Sequence, residues 1–147
     1  MRPRIVICED GDEYTTRFHR VLGQELLFQR ASGFAQAKQF LDAGAAGILL
    51  DLDFRRSEPG DLLDESGTRH EELADHERRR LAQDQGVLIL RALRSSGVAA
   101  PAILFADFQD PAQLDYLRRA LAPLVVLSSS ESLASIVEHI RKLANLG

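Results

Sequence analysis

Five short apolar runs, separated by segments with helical periodicity, constrain the fold of this chain more than any other feature. The runs are mostly continuous rather than alternating, and they cover residues 4–8, 27–31, 47–51, 102–106 and 124–127. A continuous apolar run of strand length is typical of a parallel sheet that helices cover on both faces. We therefore predict a doubly wound α/β fold in which five strands alternate with helices.

Between the runs, apolar residues recur with helical spacing, and turn or capping residues mark most of the segment ends. The predicted helices cover residues 13–26, 34–43, 86–94, 111–122 and 131–143. Asp110 followed by Pro111 predicts the start of the fourth of these helices. The serine run at 128–130 predicts the cap of the last one.

Residues 54–85 differ from the rest of the chain, because they carry nine acidic residues and six arginines with few apolar side chains between them. A stretch of this composition cannot bury much apolar surface, so we predict an exposed insertion after the third strand. The part up to Gly67 is predicted to be loop. Thr68, with Glu71 three residues later, has the spacing of a capping box and predicts an exposed helix that runs to Gln83.

The overall composition narrows the class of protein. A chain of 147 residues with 45% hydrophobic content can bury one core, so we predict a single domain over residues 1–147. The net charge of −4 argues against nucleic-acid binding by phosphate neutralisation. No apolar stretch is long enough to cross a bilayer, and one cysteine excludes an internal disulfide. We expect a cytoplasmic protein with neither membrane nor nucleic acid among its partners.

Acidic residues follow the first and third strands directly. Glu9 and Asp10 come after the run 4–8, and Asp51 is the last residue of the run that begins at position 47. Because the carboxyl ends of parallel strands meet at the edge where ligands of open α/β sheets gather, we expect these carboxylates to converge. The sequence thus predicts an anionic pocket at that edge. Asp107, after the fourth strand, is either a further pocket acid or a turn residue.

These residues carry a resemblance to the response-regulator receiver domains of two-component signalling. The acid pair Glu9-Asp10, Asp51 about forty residues later, and the strands near 101–106 and 125–127 occur in the order typical of that family. The resemblance covers nearly the whole chain except residues 54–85. It implies a flavodoxin-like, five-stranded parallel sheet with strand order 2-1-3-4-5, into which the charged insertion is added after strand 3.

The resemblance also implies roles for the acids in a phosphorelay. Asp51 would be the phosphoacceptor. Mg²⁺ would be held by Asp10 and Asp51, by Glu9 through a water molecule, and by the backbone carbonyl of Asp53. Such a cation, bound by oxygen ligands, neutralises an incoming phosphoryl group while a carboxylate attacks it.

Two positions depart from the family pattern. Receivers generally have Ser or Thr at the end of the fourth strand and Lys at the end of the fifth, and these positions are here Ala106 and Ser128. Losing one preorganised contact of this kind typically costs about 3 kcal/mol, so we expect an atypical receiver with an impaired switch. Arg55 and Arg56 are candidate substitute phosphate contacts, because arginine binds phosphate in bidentate fashion. The alternative is that both are solvated loop charges.

We therefore expect a signalling domain that is not an enzyme and that acts through contact with a histidine kinase, another signalling protein or a second copy of itself. One alternative is a working receiver that phosphorylation of Asp51 controls. Another is a flavodoxin-like binder of small ligands, which the lack of a Gly-rich phosphate loop after the first strand disfavours. The family's usual contact face corresponds to 110–122 with 131–143, and the insertion is a second candidate, as docking element or lid.

Overall fold

The computed structural model describes residues 2–57 and 59–145, which contain a five-stranded sheet. The strands are β1 (Arg4–Cys8), β2 (Leu27–Ala31), β3 (Gly47–Asp51), β4 (Ala102–Phe105) and β5 (Leu124–Leu127). All neighbouring strands are parallel, in the order β2-β1-β3-β4-β5. The prediction of a flavodoxin-like parallel sheet with this order is confirmed.

The register of the central strands explains their continuous apolar sequences. Val6 pairs with Ile48, and Ile48 pairs with Ala102, whereas Ile7 pairs with Leu49. Successive side chains of a strand point to opposite faces of the sheet. Val6, Ile48 and Ala102 accordingly belong to one buried cluster, and Ile7 and Leu49 belong to another. Because both faces of these strands are buried, every buried position in them is apolar, and the polar residues Arg4 and Asp51 stand only at strand ends.

Helices cover both faces of the sheet. They are α1 (Glu13–Leu22), α2 (Phe34–Asp42), α3 (Asp75–Gln83), α4 (Gln85–Ser95), α5 (Pro111–Ala120) and α6 (Leu133–Leu143). On one face α1 and α6 bury Phe18 and Ile140 completely. On the other face lie α2, α4 and α5 together with the inserted segment 54–85. Among the described residues, none of the helices combines the length and apolar character that crossing a membrane requires.

Several helix ends differ from the prediction by one to four residues, and two of the differences have a clear structural cause. α1 ends at Leu22 rather than at Leu26, because the chain turns there and carries Leu26 into the core just before β2 begins. The cap of α6 is Ser132, whose hydroxyl accepts a hydrogen bond from the amide of Ser135 at 3.1 Å. The serine run at 128–130 instead forms the turn that follows β5.

The predicted helix start at Thr68 is wrong, since α3 begins only at Asp75. A compact turn occupies residues 64–68 instead. The carboxylate of Asp64 accepts hydrogen bonds from the amides of Ser66 at 2.8 Å and of Thr68 at 3.0 Å. An aspartate binds the amides of a following turn readily, so this local turn forms where the capping box would have started a helix.

The inserted segment is also less exposed than its composition predicts. At most 3% of the surface remains exposed for five of its apolar side chains, namely Phe54, Leu62, Leu63, Leu81 and Ala82. All five join the cluster on the face that α2, α4 and α5 cover. Glu58, one of the nine acids of the segment, lies outside the described residues. A few apolar residues in a charged sequence therefore anchor the insertion in the core, and the expectation that it projects into solvent is corrected.

The insertion returns to the sheet at the joint between α3 and α4. The side-chain amide of Gln85, which is 1% exposed, accepts a hydrogen bond from the amide of Leu63 at 2.8 Å. It donates to the carbonyls of Leu63 at 3.1 Å and Leu81 at 3.2 Å. The next residue, Gly86, lies so close to β3 that a Cβ there would overlap the carbonyl oxygen of Asp51. The lack of a side chain at Gly86 lets α4 begin directly beside Asp51.

Candidate functional site

The carboxyl ends of the central strands bring the predicted site residues to one edge of the sheet. Asp51 is level with Phe105 in the sheet register, and Ala106 and Ser128 follow β4 and β5 beyond the same edge. Glu9 follows β1 there. Residues from four different strand ends therefore surround one short stretch of edge.

A cavity of about 420 Å³ opens beside Asp51 at this edge. Its walls include Tyr14, Arg17, Asp51, Ala106, Asp107 and Ser128. Four of the described lining residues are acidic, and Arg17 is the basic residue among them. The cavity is thus strongly anionic, and it lies on the β4 and β5 side of Asp51.

Glu9 is buried, and its carboxylate is used to begin α1. Its two oxygens accept hydrogen bonds from the amides of Tyr14 at 3.1 Å and Thr15 at 2.8 Å, and the Thr15 hydroxyl donates at 2.7 Å. Only 1% of Glu9 is exposed. Asp12, which immediately precedes the helix, makes no side-chain capping bond. Glu9 therefore satisfies the free amides of α1, where the helix macrodipole also favours a negative charge.

Asp10 is paired with an arginine of the inserted segment. The backbone amide of Arg56 donates to one Asp10 oxygen at 2.8 Å, and its guanidinium lies 3.1 Å from the other. The same guanidinium binds both oxygens of Glu13, at 2.6 and 3.0 Å, and lowers the pKa of Glu13 to about 2. Only 3% of the Asp10 side chain is exposed. Arg56 thus covers the acid to which the resemblance assigns a metal ion.

Asp51 lacks a basic partner among the described residues. Burial raises the pKa of Asp51 to about 6, although the amide of Leu52, which donates to it at 2.9 Å, opposes the rise. The nearby charges of Asp10, Glu9 and Asp53 raise the pKa further. A carboxylate that is partly buried among like charges favours a proton or a cation beside it.

Asp53 and Arg55 form a local, exposed pair. One oxygen of Asp53 accepts a hydrogen bond from the amide of Arg55 at 2.9 Å, and the other lies 3.1 Å from its guanidinium Nε. The Arg55 side chain is 80% exposed. The two arginines predicted as phosphate contacts or as solvated loop charges therefore both bind acids, Arg55 at Asp53 and Arg56 at Asp10 and Glu13.

Asp107 joins the ends of β4 and β5. Its carboxylate accepts a hydrogen bond from the amide of Ser129 at 2.9 Å, and the hydrogen bonds from Ser129 lower the pKa of Asp107. The hydroxyl of Ser128 lies 2.7 Å from that of Ser130, and Ala106 is 8% exposed. Where the resemblance expects a hydroxyl and a lysine, the structure thus has a nearly buried methyl group and a hydroxyl engaged by a neighbouring serine.

The acids do not fit a divalent metal ion in this arrangement of their side chains. Within residues 2–57 and 59–145, no group of three or more His, Cys, Asp or Glu side chains is placed to hold one ion. The oxygens of Glu9 accept hydrogen bonds from α1, and those of Asp10 accept hydrogen bonds from Arg56. The Mg²⁺ site that the resemblance implies would require these contacts to open.

Three further residues shape this edge and do not follow from the sequence pattern. Glu13 binds Arg56, and Tyr14 and Arg17 line the cavity. Tyr14 stacks on Phe105 with ring centroids 4.8 Å apart, and burial, above all other causes, raises its pKa to about 12. The signal that indicates these residues is their place in the first turns of α1, because the helix after β1 begins at the edge where the acids lie.

Comparison with known proteins gives a fold but no close relative. No family model matches the sequence, and no curated protein matches it. Solved structures of receiver domains do match. The receiver domain of the Francisella response regulator 1452 aligns at a TM-score of 0.66 and 10% identity, over 99% of this chain and 98% of that one. A CheY-like receiver domain protein from Methanospirillum hungatei aligns at 0.62 and 14% identity, over 99% and 97%.

A response regulator receiver protein from Sinorhizobium medicae aligns at a TM-score of 0.60 and 16% identity, over 98% of this chain and 95% of that one. These alignments span almost the whole of each chain. Together with the sheet order, they establish that this chain has the fold of response-regulator receiver domains.

Proposed function

We propose that this chain is a receiver-like signalling domain that acts through protein contact and switches weakly, or not at all, on phosphorylation of Asp51. The observation that carries the proposal is the cavity beside Asp51, in which Ala106 offers no hydroxyl and Ser128 offers no positive charge. In the family that the chain resembles, a hydroxyl and a lysine at these positions bind the phosphoryl group.

Electrostatics support the impaired switch. An aspartyl phosphate at Asp51 would carry close to two negative charges, about one more than the carboxylate that it replaces, in a cavity that Asp53, Asp107 and Glu131 already line. Arg55, the nearest arginine along the chain, is paired with Asp53. Each missing preorganised contact costs about 3 kcal/mol of transition-state stabilisation, equivalent to a rate about a hundredfold lower. We therefore expect phosphoryl transfer to Asp51 to be slow and its product to be poorly bound.

The direct test is to incubate the protein with acetyl phosphate and Mg²⁺ and to measure its intact mass over time. We expect no stable gain of one phosphoryl group. Because Arg56 pairs with Asp10, the family residues are restored together with Arg56→Ala, in an Ala106→Thr, Ser128→Lys, Arg56→Ala triple variant, which should produce a gain. The same triple variant with Asp51→Asn is the control, and it should show no gain. A stable gain in the unchanged protein that Asp51→Asn abolishes would overturn the proposal.

That outcome would favour a working receiver as the second candidate. One observation speaks for it, because Arg17 of α1 lines the same cavity as Asp51 and is a cation within that wall. In that case Arg17→Ala would reduce the phosphoryl gain. Arg20 is an exposed arginine of the same helix, and Arg20→Ala would leave the phosphoryl gain unchanged.

The proposed contact face is formed by α5, β5 and α6. Each of these elements carries one exposed large apolar side chain: Tyr116 is 59% exposed, Val125 is 38% exposed and Leu133 is 37% exposed. β5 is also an outer strand of the sheet. Apolar side chains exposed around a sheet edge are typical of protein interfaces. A kinase, another signalling protein or a second copy of this chain would contact the protein through this face.

A further inference from the structure

We propose that Arg56 is the cation that binds Asp10 at the acidic edge, in the place of a divalent metal ion. Mg²⁺ can then bind Asp10 only after Arg56 has been displaced. The inference goes beyond the proposed function, because it concerns which cation the acids bind and requires no phosphorylation of Asp51. It rests on the contacts of Arg56 with two carboxylates and on the way the insertion fixes its position.

Arg56 donates hydrogen bonds to both oxygens of Asp10. Its backbone amide donates to Oδ2 at 2.8 Å, and its guanidinium Nη2 lies 3.1 Å from Oδ1. The Asp10 side chain is 3% exposed, so this carboxylate meets little water. A buried carboxylate is costly without a counter-charge, and a charged guanidinium supplies one together with directed hydrogen bonds. Arg56 therefore meets the need for positive charge at Asp10 that a metal ion would otherwise meet.

A second carboxylate holds the guanidinium in place. Nη1 and Nη2 of Arg56 lie 2.6 and 3.0 Å from the two oxygens of Glu13, a planar two-pronged pairing. Gly11, between the two acids, leaves room for this arrangement, because a Cβ at Gly11 would overlap both the guanidinium and the Glu13 carboxylate. The loop from Asp10 to Glu13 thus forms a site for an arginine side chain.

The core of the insertion positions Arg56. Phe54, two residues earlier, is 1% exposed, and its amide donates to the carbonyl of Ala82 at 2.8 Å. The amide of Ser57 donates back to the Phe54 carbonyl at 3.0 Å, so Arg56 lies in a closed turn. Because Phe54 and Ala82 are anchored in the core, the turn holds Arg56 at Asp10 at little further cost in conformational entropy.

This pairing opposes Mg²⁺ in two ways. Mg²⁺ requires direct oxygen ligands in near-octahedral geometry, and both oxygens of Asp10 are already hydrogen-bonded. The guanidinium also repels a second cation at the same carboxylate. The oxygens of Glu9 are bound to the first turn of α1, so Glu9 offers no easy replacement. Mg²⁺ can bind Asp10 together with Asp51 only after Arg56 has left.

Isothermal titration with MgCl₂, in the absence of any phosphoryl donor, tests the inference. We expect no saturable binding by the unchanged protein, and a Mg²⁺ affinity at least about tenfold higher in Arg56→Ala, equivalent to about 1.4 kcal/mol. Arg55→Ala is the matched control, since Arg55 is the neighbouring arginine and binds Asp53 instead. Adding Asp10→Asn to Arg56→Ala should remove the gained binding.

Gly11→Ala provides a second variant that keeps Arg56 but displaces its guanidinium, and it should also gain Mg²⁺ binding. If Arg56→Ala does not fold by circular dichroism, the outcome for Gly11→Ala decides. The inference is overturned if the unchanged protein binds Mg²⁺ through Asp10 as tightly as these variants do. It is equally overturned if neither variant gains binding. The proposed function stands or falls separately, on the acetyl phosphate measurement.

Discussion

At the scale of single residues, the acidic edge divides into charges that are paired and one that is not. Glu9 is bound by the first turn of α1, and Asp10 is bound by Arg56. The ionised form of Asp51 is disfavoured by its surroundings, because burial and the negative charges around it raise its pKa to about 6. An acid whose pKa is higher in the folded protein than in the unfolded chain destabilises the fold when it is ionised.

We therefore predict that Asp51→Asn stabilises the protein at pH 7 in metal-free buffer. The gain should be about 1 kcal/mol once the partial exposure of Asp51 to water is taken into account. It should fade as the pH falls from about 6 to 4, because the folded protein takes up a proton on Asp51 near pH 6 and the unfolded chain does so only near pH 4. Urea unfolding at several pH values measures this difference.

Asp107→Asn is the control, and we expect it to change the stability in the opposite direction. The hydrogen bonds from Ser129 lower the pKa of Asp107, so its ionised form stabilises the fold. Asp107→Asn should therefore lower the stability at pH 7, and the difference should disappear when the pH falls below the pKa of Asp107. Equal effects of Asp51→Asn and Asp107→Asn at pH 7 would contradict the assigned environments.

At the scale of elements, one side chain fastens the insertion to the domain that surrounds it. Gln85 joins α3 and α4, and its buried amide makes three hydrogen bonds, two to the backbone of Leu63 and one to that of Leu81. A backbone amide or carbonyl that is buried without a partner costs about 1–3 kcal/mol. The contact between the loop that contains Leu63 and the start of α4 therefore depends on Gln85.

We predict that Gln85→Leu lowers the free energy of unfolding by about 2–3 kcal/mol, because it leaves the amide and carbonyl of Leu63 without their partner. Gln83→Leu, at the exposed last residue of α3, is the matched control and should change stability by less than about 0.5 kcal/mol. Chemical denaturation of both variants measures the difference. If Gln85→Leu is as stable as Gln83→Leu, the joint is not fastened by this residue.

At the scale of the whole molecule, the sheet separates two buried clusters, and the insertion completes one of them. Leu62, Leu63 and Leu81 of the insertion are each at most 3% exposed and share a cluster with Leu50 of β3 and Leu90 of α4. Burying one leucine side chain contributes about 1.5–3 kcal/mol. The entropy gained by shortening a loop several-fold is only about 1–2 kcal/mol. The free energy lost with three buried leucines therefore exceeds the entropy gained by shortening the loop.

Replacing residues 56–82 by a short Gly-Ser linker should accordingly destabilise the protein by at least about 3 kcal/mol, since three buried leucines are lost from one face of the sheet. Thermal and urea unfolding measure this change. The matched control is Glu71→Ala combined with Glu72→Ala, which removes exposed charge from the same insertion and leaves its buried residues in place. A shortened protein of unchanged stability would mean that the insertion is an independent lobe, as its composition alone suggests.

The sequence was sufficient for the sheet, and the reason is local. The strands at 47–51 and 102–105 follow from apolar runs, and their parallel arrangement follows from burial on both faces. It was insufficient for the insertion. Leu62 and Leu63 are isolated in a charged stretch, and only their packing against the core shows that they are buried. Thr68 has a capping-box pattern, but the nearby Asp64 takes its amide for a turn.

The same division holds at the acidic edge. The order of strands and acids along the chain is enough to place Glu9, Asp10 and Asp51 at one end of the sheet, because strand ends fix where the residues after them can lie. The partner of each carboxylate depends instead on contacts between residues that are distant along the chain. Arg56 is 46 residues from Asp10 along the chain, and no local pattern distinguishes it from the other five arginines of the insertion. Arg56 is the arginine that reaches Asp10 because the buried side chain of Phe54 holds the turn at residues 54–57 against the acidic edge.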